Sequence, residues 1–334
     1  MKANVVTALI APLVFATMVP TSVLANDTSA VLGAGGLELT TSKDIVMASE
    51  DLYLSASQIR VRYAFRNESD RDITTRVAFP LPEVDQNEGS EMVFLPAEDQ
   101  ENFVDFHVTV DGRPVQPKLE QKAVTGEGAD VTAAITKAGL PVNAQLPGWQ
   151  EKTRALPHDV RQHLIKQRLI EADDPGNRSA DFDPTWKLRA SFHWEQTFPA
   201  GKTITVEHRY KPITGGVSSF DESQFNDYKS YCLDNQGKAG VRRLMKQAQA
   251  AAQADPQRNP NIGGPSEVEY ILTTGANWKG PIGDFHLTID KENPNAVLTL
   301  CLSGLKKTGP TAFELRRMNF TPKEDIRFAV FDWR

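Results

Sequence analysis

Between Ile59 and Arg66 every second residue is apolar. Ile59, Val61, Tyr63 and Phe65 alternate with Arg60, Arg62, Ala64 and Arg66, the pattern of a strand with one buried and one wetted face. It recurs where Trp186, Leu188, Ala190, Phe192 and Trp194 alternate with Lys187, Arg189, Ser191, His193 and Glu195. Turn residues separate the repeats. Asn67-Glu68-Ser69-Asp70 predicts that Ile73 to Phe79 returns as a partner strand, stopped by Pro80-Leu81-Pro82, because proline cannot donate to a ladder. Pro199-Ala200-Gly201-Lys202 predicts a turn from the Trp186 strand into Ile204 to Tyr210. Asp111-Gly112 closes a hairpin after Phe103 to Val110.

Helical spacing interrupts this pattern between about 118 and 183. Val131 and Ile135 sit four apart before Gly139 and Pro141, and Val160, Leu164, Ile165 and Leu169 make a stripe after Pro157. A third helix, about 238–254, presents Val241, Leu244, Met245 and Ala248 on one side and Lys238, Arg242, Arg243 and Lys246 on another. Strands resume at Val268, Tyr270 and Leu272, at Phe285, Leu287 and Ile289, at Val297 to Leu302, at Phe313 to Leu315 and at Ile326, Phe328 and Val330. Short strands between turn residues favour sandwiches or barrels over a wound α/β sheet. The expected fold is mainly β: two antiparallel β-sandwich-like domains, 26–215 with the helical insertion and 216–334 with the third helix. One continuous sandwich is the alternative.

The first 25 residues carry an address. Met1-Lys2 gives a positive start, Val5 to Val19 is mostly apolar, and Val23-Leu24-Ala25 puts small residues ahead of a cut. That is a three-part secretory signal with cleavage near Ala25, and its apolar run is shorter than the roughly 20 residues of a membrane span. No later segment is apolar enough for a transmembrane helix. The expected product is periplasmic or secreted. A formal charge of −6 excludes the strongly basic class of nucleic-acid binders. In an oxidising compartment the two cysteines, Cys232 and Cys301, favour a structural disulfide. Closing such a loop is worth roughly 4 kcal/mol at most. A redox pair or a metal site are the alternatives, though no C-x-x-C is present.

Several stretches resemble one family. They are Asn26 to Leu37, Ser49-Glu50-Asp51-Leu52-Tyr53, Val61 to Asn67, Ala78-Phe79-Pro80-Leu81-Pro82, Tyr231-Cys232 and Asn277-Trp278 with Gly280-Pro281-Ile282. Together they look like the exported bacterial proteins grouped as domain-of-unknown-function family 4424. The resemblance implies export and a shared fold, and brings no activity or catalytic residue with it. The first half is also similar, more weakly, to vault/inter-alpha-trypsin-type domains, which are secreted or interaction-associated β modules.

Motifs that name a reaction are missing: the sequence has no G-x-S-x-G and no H-E-x-x-H. Gly33-Ala34-Gly35-Gly36 lacks the residues that complete a phosphate loop and reads as a tight turn. His193 and His208, on strands expected to form one hairpin, could begin a zinc site. Asp173, Asp174, Asn177, Asp181 and Asp183 form an oxygen-rich run suited in kind to calcium, or a solvated turn. Trp149 and Trp278, the latter beside Asn277, sit in expected loops. They either form a platform for a sugar or peptide or plug one end of a sandwich. The sequence therefore points to a non-enzymatic exported protein that recognises envelope protein or glycan, with no resident cofactor. The alternative is a periplasmic hydrolase or metal-assisted enzyme built from scattered histidines and carboxylates.

Overall fold

The alternating segments become two sheets packed face to face. The computed structural model describes residues 26–33, 36–87, 95–97, 99, 101–174, 181–217, 220–255 and 264–332. The expected leader, 1–25, and Asn177 lie outside the described residues. An eight-stranded sheet runs in the order Lys306–Lys307, Ala312–Phe320, Ile282–Asp290, Ile45–Leu54, Ile59–Asn67, Thr203–Tyr210, His107–Val110 and Arg113–Val115. A six-stranded sheet runs Gly36–Thr40, Thr28–Gly33, Ile73–Pro80 and Lys187–Phe198; the last also pairs with Lys118–Val124 and Val84–Asp85. Their facing aromatics interdigitate: Phe79 packs on Phe106 and Tyr210, and Phe106 stacks on Phe192 at 4.4 Å. The protein is mainly β, and strands from both sides of residue 215 share the larger sheet. Ile282–Asp290 there runs parallel to Ile45–Leu54, and one core extends from Ile45 to Val330.

Two expected hairpins turn out to be crossovers between the sheets. Ile59–Asn67 and Ile73–Pro80 lie in different sheets, as do Lys187–Phe198 and Thr203–Tyr210. Period-two alternation says which face is buried and is silent on whether the next strand pairs alongside or opposite. Asn67 makes both corners possible. Its buried side chain donates to Arg71 O and Phe198 O, each at 2.8 Å, and accepts from Ser69 N at 3.0 Å. Its backbone N–H donates to Lys202 O at 3.0 Å, stitching the two crossovers together. The Asp111-Gly112 hairpin is present as expected, with positive φ of 48° and 74° at its two turn residues.

The insertion is only partly helical. Lys118–Val124 is a strand, because its partner Lys187–Phe198 offers it an open edge. The short helices Thr132–Lys137, Trp149–Ala155 and His158–Lys166 follow. The third expected helix spans Asn235–Ala254 and starts at Asp234, whose carboxylate accepts from Gly237 N at 2.7 Å. Its Val241, Leu244 and Ala248 join Phe220, Phe225 and Tyr228 on Ala329 and Phe331. Strand Ile326–Phe331 is thus buried on both faces, in a small sheet between Ser266–Tyr270 and Val297–Leu300. A Cys232–Cys301 disulfide, with Cα atoms 5.1 Å apart, ties the start of that helix to the end of Val297–Leu300. Among the described residues no helix is long and apolar enough to cross a membrane.

Candidate functional site

Strands with one wet face put a register of polar side chains on the outside of the eight-stranded sheet. Two rows of five lie side by side there. Pairing sets the first row as His286, Asp51, Arg62, Glu207 and Thr109, and the second as Thr288, Tyr53, Arg60, Arg209 and His107. The two rows line an open groove of about 540 Å³, within the usual range for small-ligand sites.

The rows differ in charge balance. In the first, His286 Nδ1 is 3.0 Å from Asp51 Oδ1, and Arg62 Nε is 3.2 Å from Glu207 Oε1, so each basic side chain has an acidic partner. The second row contains no carboxylate. Arg60 and Arg209 stand directly opposite each other, and neither makes an ion pair among the described residues. Like charges across a ladder destabilise it. The Arg60 guanidinium lies 4.3 Å from the Tyr53 ring centroid. Burial, and then the Asp290 carboxylate, push the Tyr53 phenol up, so it stays protonated and donates to Asp290 Oδ2 at 3.2 Å. What remains open is a pair of forked donors, the geometry suited to carboxylate or phosphate. A larger cavity, about 750 Å³, lies beside Cys301. There Asp325 is held by Thr273, Arg317 by Ser303 O and Arg327 by Glu269.

Beneath the groove, the same strands send a second polar set inward. Glu50 and Tyr63, paired across Ile45–Leu54 and Ile59–Asn67, meet Tyr270, Asn26, Asp27 and His208. Asn26 Nδ2 donates to Glu50 Oε2 at 3.2 Å, and Tyr63 donates to Asn26 Oδ1. His208 Nε2 lies 3.5 Å from Asp27 Oδ2, yet neither carboxyl oxygen nor either ring nitrogen has an aligned hydrogen bond. Burial holds the His208 imidazole down at about 3. Burial also raises Glu50 to about 8 and raises Asp27, the latter with help from the Glu50 charge. Both Asp27 and His208 side chains have no exposed surface, so this set contacts no solvent-borne substrate.

The residues singled out from sequence are scattered. His193 faces outward from the six-stranded sheet while His208 points into the core, so the pair does not converge; the crossover at 199–202 replaces the expected hairpin. Both Trp149 and Trp278 are 3 % exposed, which leaves no indole face open for a ligand. Trp278 packs on Phe65 and donates to Asp27 O at 2.6 Å, while Asn277 donates to Thr28 Oγ1 at 3.0 Å. Asp181 pairs with Arg154 at 2.8 Å, and its backbone carbonyl accepts from Asp173 N. Asp183 is raised by burial, then by Asp173, Glu171 and Asp181. Among the described residues no group of three or more histidines, cysteines or acids is gathered to hold a metal ion, Asp174 included. The groove residues went unnoticed because each reads as the wet half of a strand; only cross-strand register aligns them.

Residues 25–328 match the family model of a domain of unknown function, DUF4424. No curated protein matches the chain. Among solved structures, a Legionella pneumophila protein described as a "putative nutrient binding protein" is similar at 14 % identity and a TM-score of 0.44, covering 92 % of this chain and 70 % of that one. A likeness that loose transfers neither topology nor ligand.

Proposed function

The chain belongs to the DUF4424 family, and from that starting point we propose that it is an exported, non-enzymatic recognition protein of the cell envelope whose groove binds an acidic glycan. The carrying observation is the Arg60–Arg209 pair, cross-strand neighbours that make no ion pair among the described residues, in a row that contains no acid. A carboxylate or phosphate laid across them removes a repulsion and gains forked hydrogen bonds. Hydroxyls from Thr109 and Thr288 and the His107 ring flank the pair. A glycan is favoured over a peptide because the groove crosses the middle of a sheet. It offers no free edge for strand addition, and Tyr53 and the buried Val61 are its only lining residues of apolar character. Export rests on the apolar leader and on the Cys232–Cys301 bridge.

Calorimetric titration with uronic-acid oligosaccharides and with neutral oligosaccharides of equal length tests the reading. We expect binding only of the acidic set, weakened at least 10-fold by Arg60→Ala or Arg209→Ala. Equal binding of neutral sugars, or unchanged affinity in both variants, refutes it. Preference for an acidic peptide over the glycans would assign the groove to a protein partner instead.

A further inference from the structure

We propose that the mature N-terminus is a built-in ligand of the core: cutting the Ala25–Asn26 bond frees an α-ammonium that docks between the Glu50 and Asp27 carboxyls and completes the polar centre between the sheets. The step is amide hydrolysis by a leader-removing peptidase. One water is consumed: its oxygen leaves with Ala25 as a carboxylate and both its hydrogens stay on the Asn26 nitrogen, which is then an ammonium; on docking beside it, Glu50 gives up its own proton to solvent. The proposal shares with the groove reading only the export of the chain.

Geometry carries the assignment. Asn26 and Asp27, just ahead of strand Thr28–Gly33, have no exposed surface. Several elements clamp them. Thr274 Oγ1 donates to Asn26 O at 2.8 Å, Trp278 Nε1 donates to Asp27 O, and Asn26 Nδ2 reaches both Glu50 oxygens. A Cβ on Gly275 would come within 2.8 Å of Asn26 Nδ2, so even the neighbouring glycine is shaped to this residue. Covalent geometry keeps the Asn26 nitrogen within about 8 Å of the Glu50 carboxyl whatever its rotamer.

The acids around it are short of donors. Among the described residues Glu50 receives only the Asn26 amide at 3.2 and 3.3 Å and Tyr270 at 3.5 Å, and the Asp27 carboxyl receives no hydrogen bond. Buried polar groups are normally satisfied, and an unsatisfied carboxyl calls for a missing partner. Among the described residues the only basic group facing this set is His208; the other titratable neighbours are the phenols of Tyr63, Tyr270 and Tyr210. Burial keeps Glu50 protonated to about pH 8 when residue 26 carries an ordinary amide. An ammonium at the same place supplies three donors and a positive charge.

The test expresses the full chain with its leader in a bacterial host and recovers the periplasmic product. Intact mass should show a chain beginning at Asn26, and its α-amine should acylate at least 10-fold more slowly in the folded protein than in urea. A start at any other residue, or equal rates in both states, overturns the proposal. In a second arm, a Gly-Ser extension ahead of Asn26 is combined with Glu50→Gln. The extension should lower the thermal midpoint of the wild-type chain and lower that of Glu50→Gln by less than half as much. Equal losses in the two backgrounds overturn it. If the extended chains do not fold, the acylation rates decide alone. No arm involves a ligand, so failure here leaves the groove standing, and failure of glycan binding leaves the N-terminus standing.

Discussion

His208 and Glu50 are buried within one polar set yet respond to pH in opposite senses, so stability should trace a dome. Consider a chain in which residue 26 carries an amide, as in the Gly-Ser extension. The His208 imidazole is held at about 3 against an ordinary 6.5. Its unfolded form binds the proton first, so its contribution is complete above 6.5 and is lost as pH falls towards 3. Glu50 is raised from 4.5 to about 8. The folded form keeps the proton longer, so its contribution is complete below 4.5 and is lost as pH rises through 8. Asp27, also raised, acts in the same sense as Glu50. One imidazole opposes two carboxyls, so the slopes cancel only between the ordinary values of Asp27 and Glu50, and the crest lies between about 3.8 and 4.5. At about 1.4 kcal/mol per tenfold change in proton affinity, the His208 and Glu50 shifts are each worth at most about 5 kcal/mol, because relaxation around a buried charge softens the cost, and Asp27 adds to the alkaline side. That is comparable with the whole stability of a typical domain.

Urea unfolding followed by tryptophan fluorescence at fixed pH values from 3.5 to 8.5 reads both arms. His208→Phe should flatten the acid arm without opening a cavity, since the rings of Tyr63, Phe79, Phe106 and Trp194 already surround the imidazole with centroids 5.0–5.5 Å away. Glu50→Gln should flatten part of the alkaline arm, and Glu50→Gln with Asp27→Asn the rest. A chain starting at Asn26 should show a shallower alkaline arm than the extended one. A stability constant to within about 1 kcal/mol between pH 4 and 8 in the extended chain, or an acid arm undiminished by His208→Phe, refutes the reasoning.

Three further outcomes follow from single contacts. Trp278→Phe should cost about 1–3 kcal/mol by leaving the buried Asp27 carbonyl without its donor, and Trp278→Ala about 3–5 kcal/mol, both read as shifts in urea midpoint. Arg60→Ala combined with Arg209→Ala should leave stability within about 0.5 kcal/mol of wild type or raise it, because a cross-strand repulsion goes; a larger loss in the same urea assay would give these arginines a structural role. Replacing Cys232 and Cys301 with serine should remove up to about 4 kcal/mol, and a reductant should lower the thermal midpoint of the wild-type chain to that of the variant.

Which face of each strand is wet was legible wherever alternation was clean. Ile59–Asn67 and Thr203–Tyr210 bury the residues their patterns assign. Pairing partners were not legible, because an arch between sheets and a hairpin within one have the same local chemistry, and the difference lies in what Asn67 bonds more than a hundred residues away. Ile45–Leu54 shows a second limit. Strict alternation from Ile45 and Met47 would turn Ser49 and Asp51 inward. A bulge at Ala48 shifts the register, so Glu50, Leu52 and Leu54 face the core instead. The bulge has a counterpart across the parallel ladder: a Cβ on Gly283 would sit 2.5 Å from Ala48 O. One extra residue and one glycine therefore decide that an acid is buried, and neither announces itself in the sequence.

Why should a sandwich with ample apolar core place Glu50, Asp27 and His208 at its centre? Stability alone is a poor answer, since apolar replacements of buried charges are often neutral or better. Register is a stronger one. The first strand, Thr28–Gly33, offers only Thr28, Ser29 and Ala30 for pairing with Ile73–Pro80, and its outer half exposes Val31 and Leu32. A slip of one residue would cost it little in apolar contact, yet would flip every side chain to the other face. With Asn26 on Glu50 and Asp27 packed beside His208, slipping in either direction takes the buried Glu50 carboxyl away from its Asn26 donor. The polar centre thus fixes the register of Asn26 and Asp27 in a way no apolar contact could, and the α-ammonium proposed above would make that register sharper.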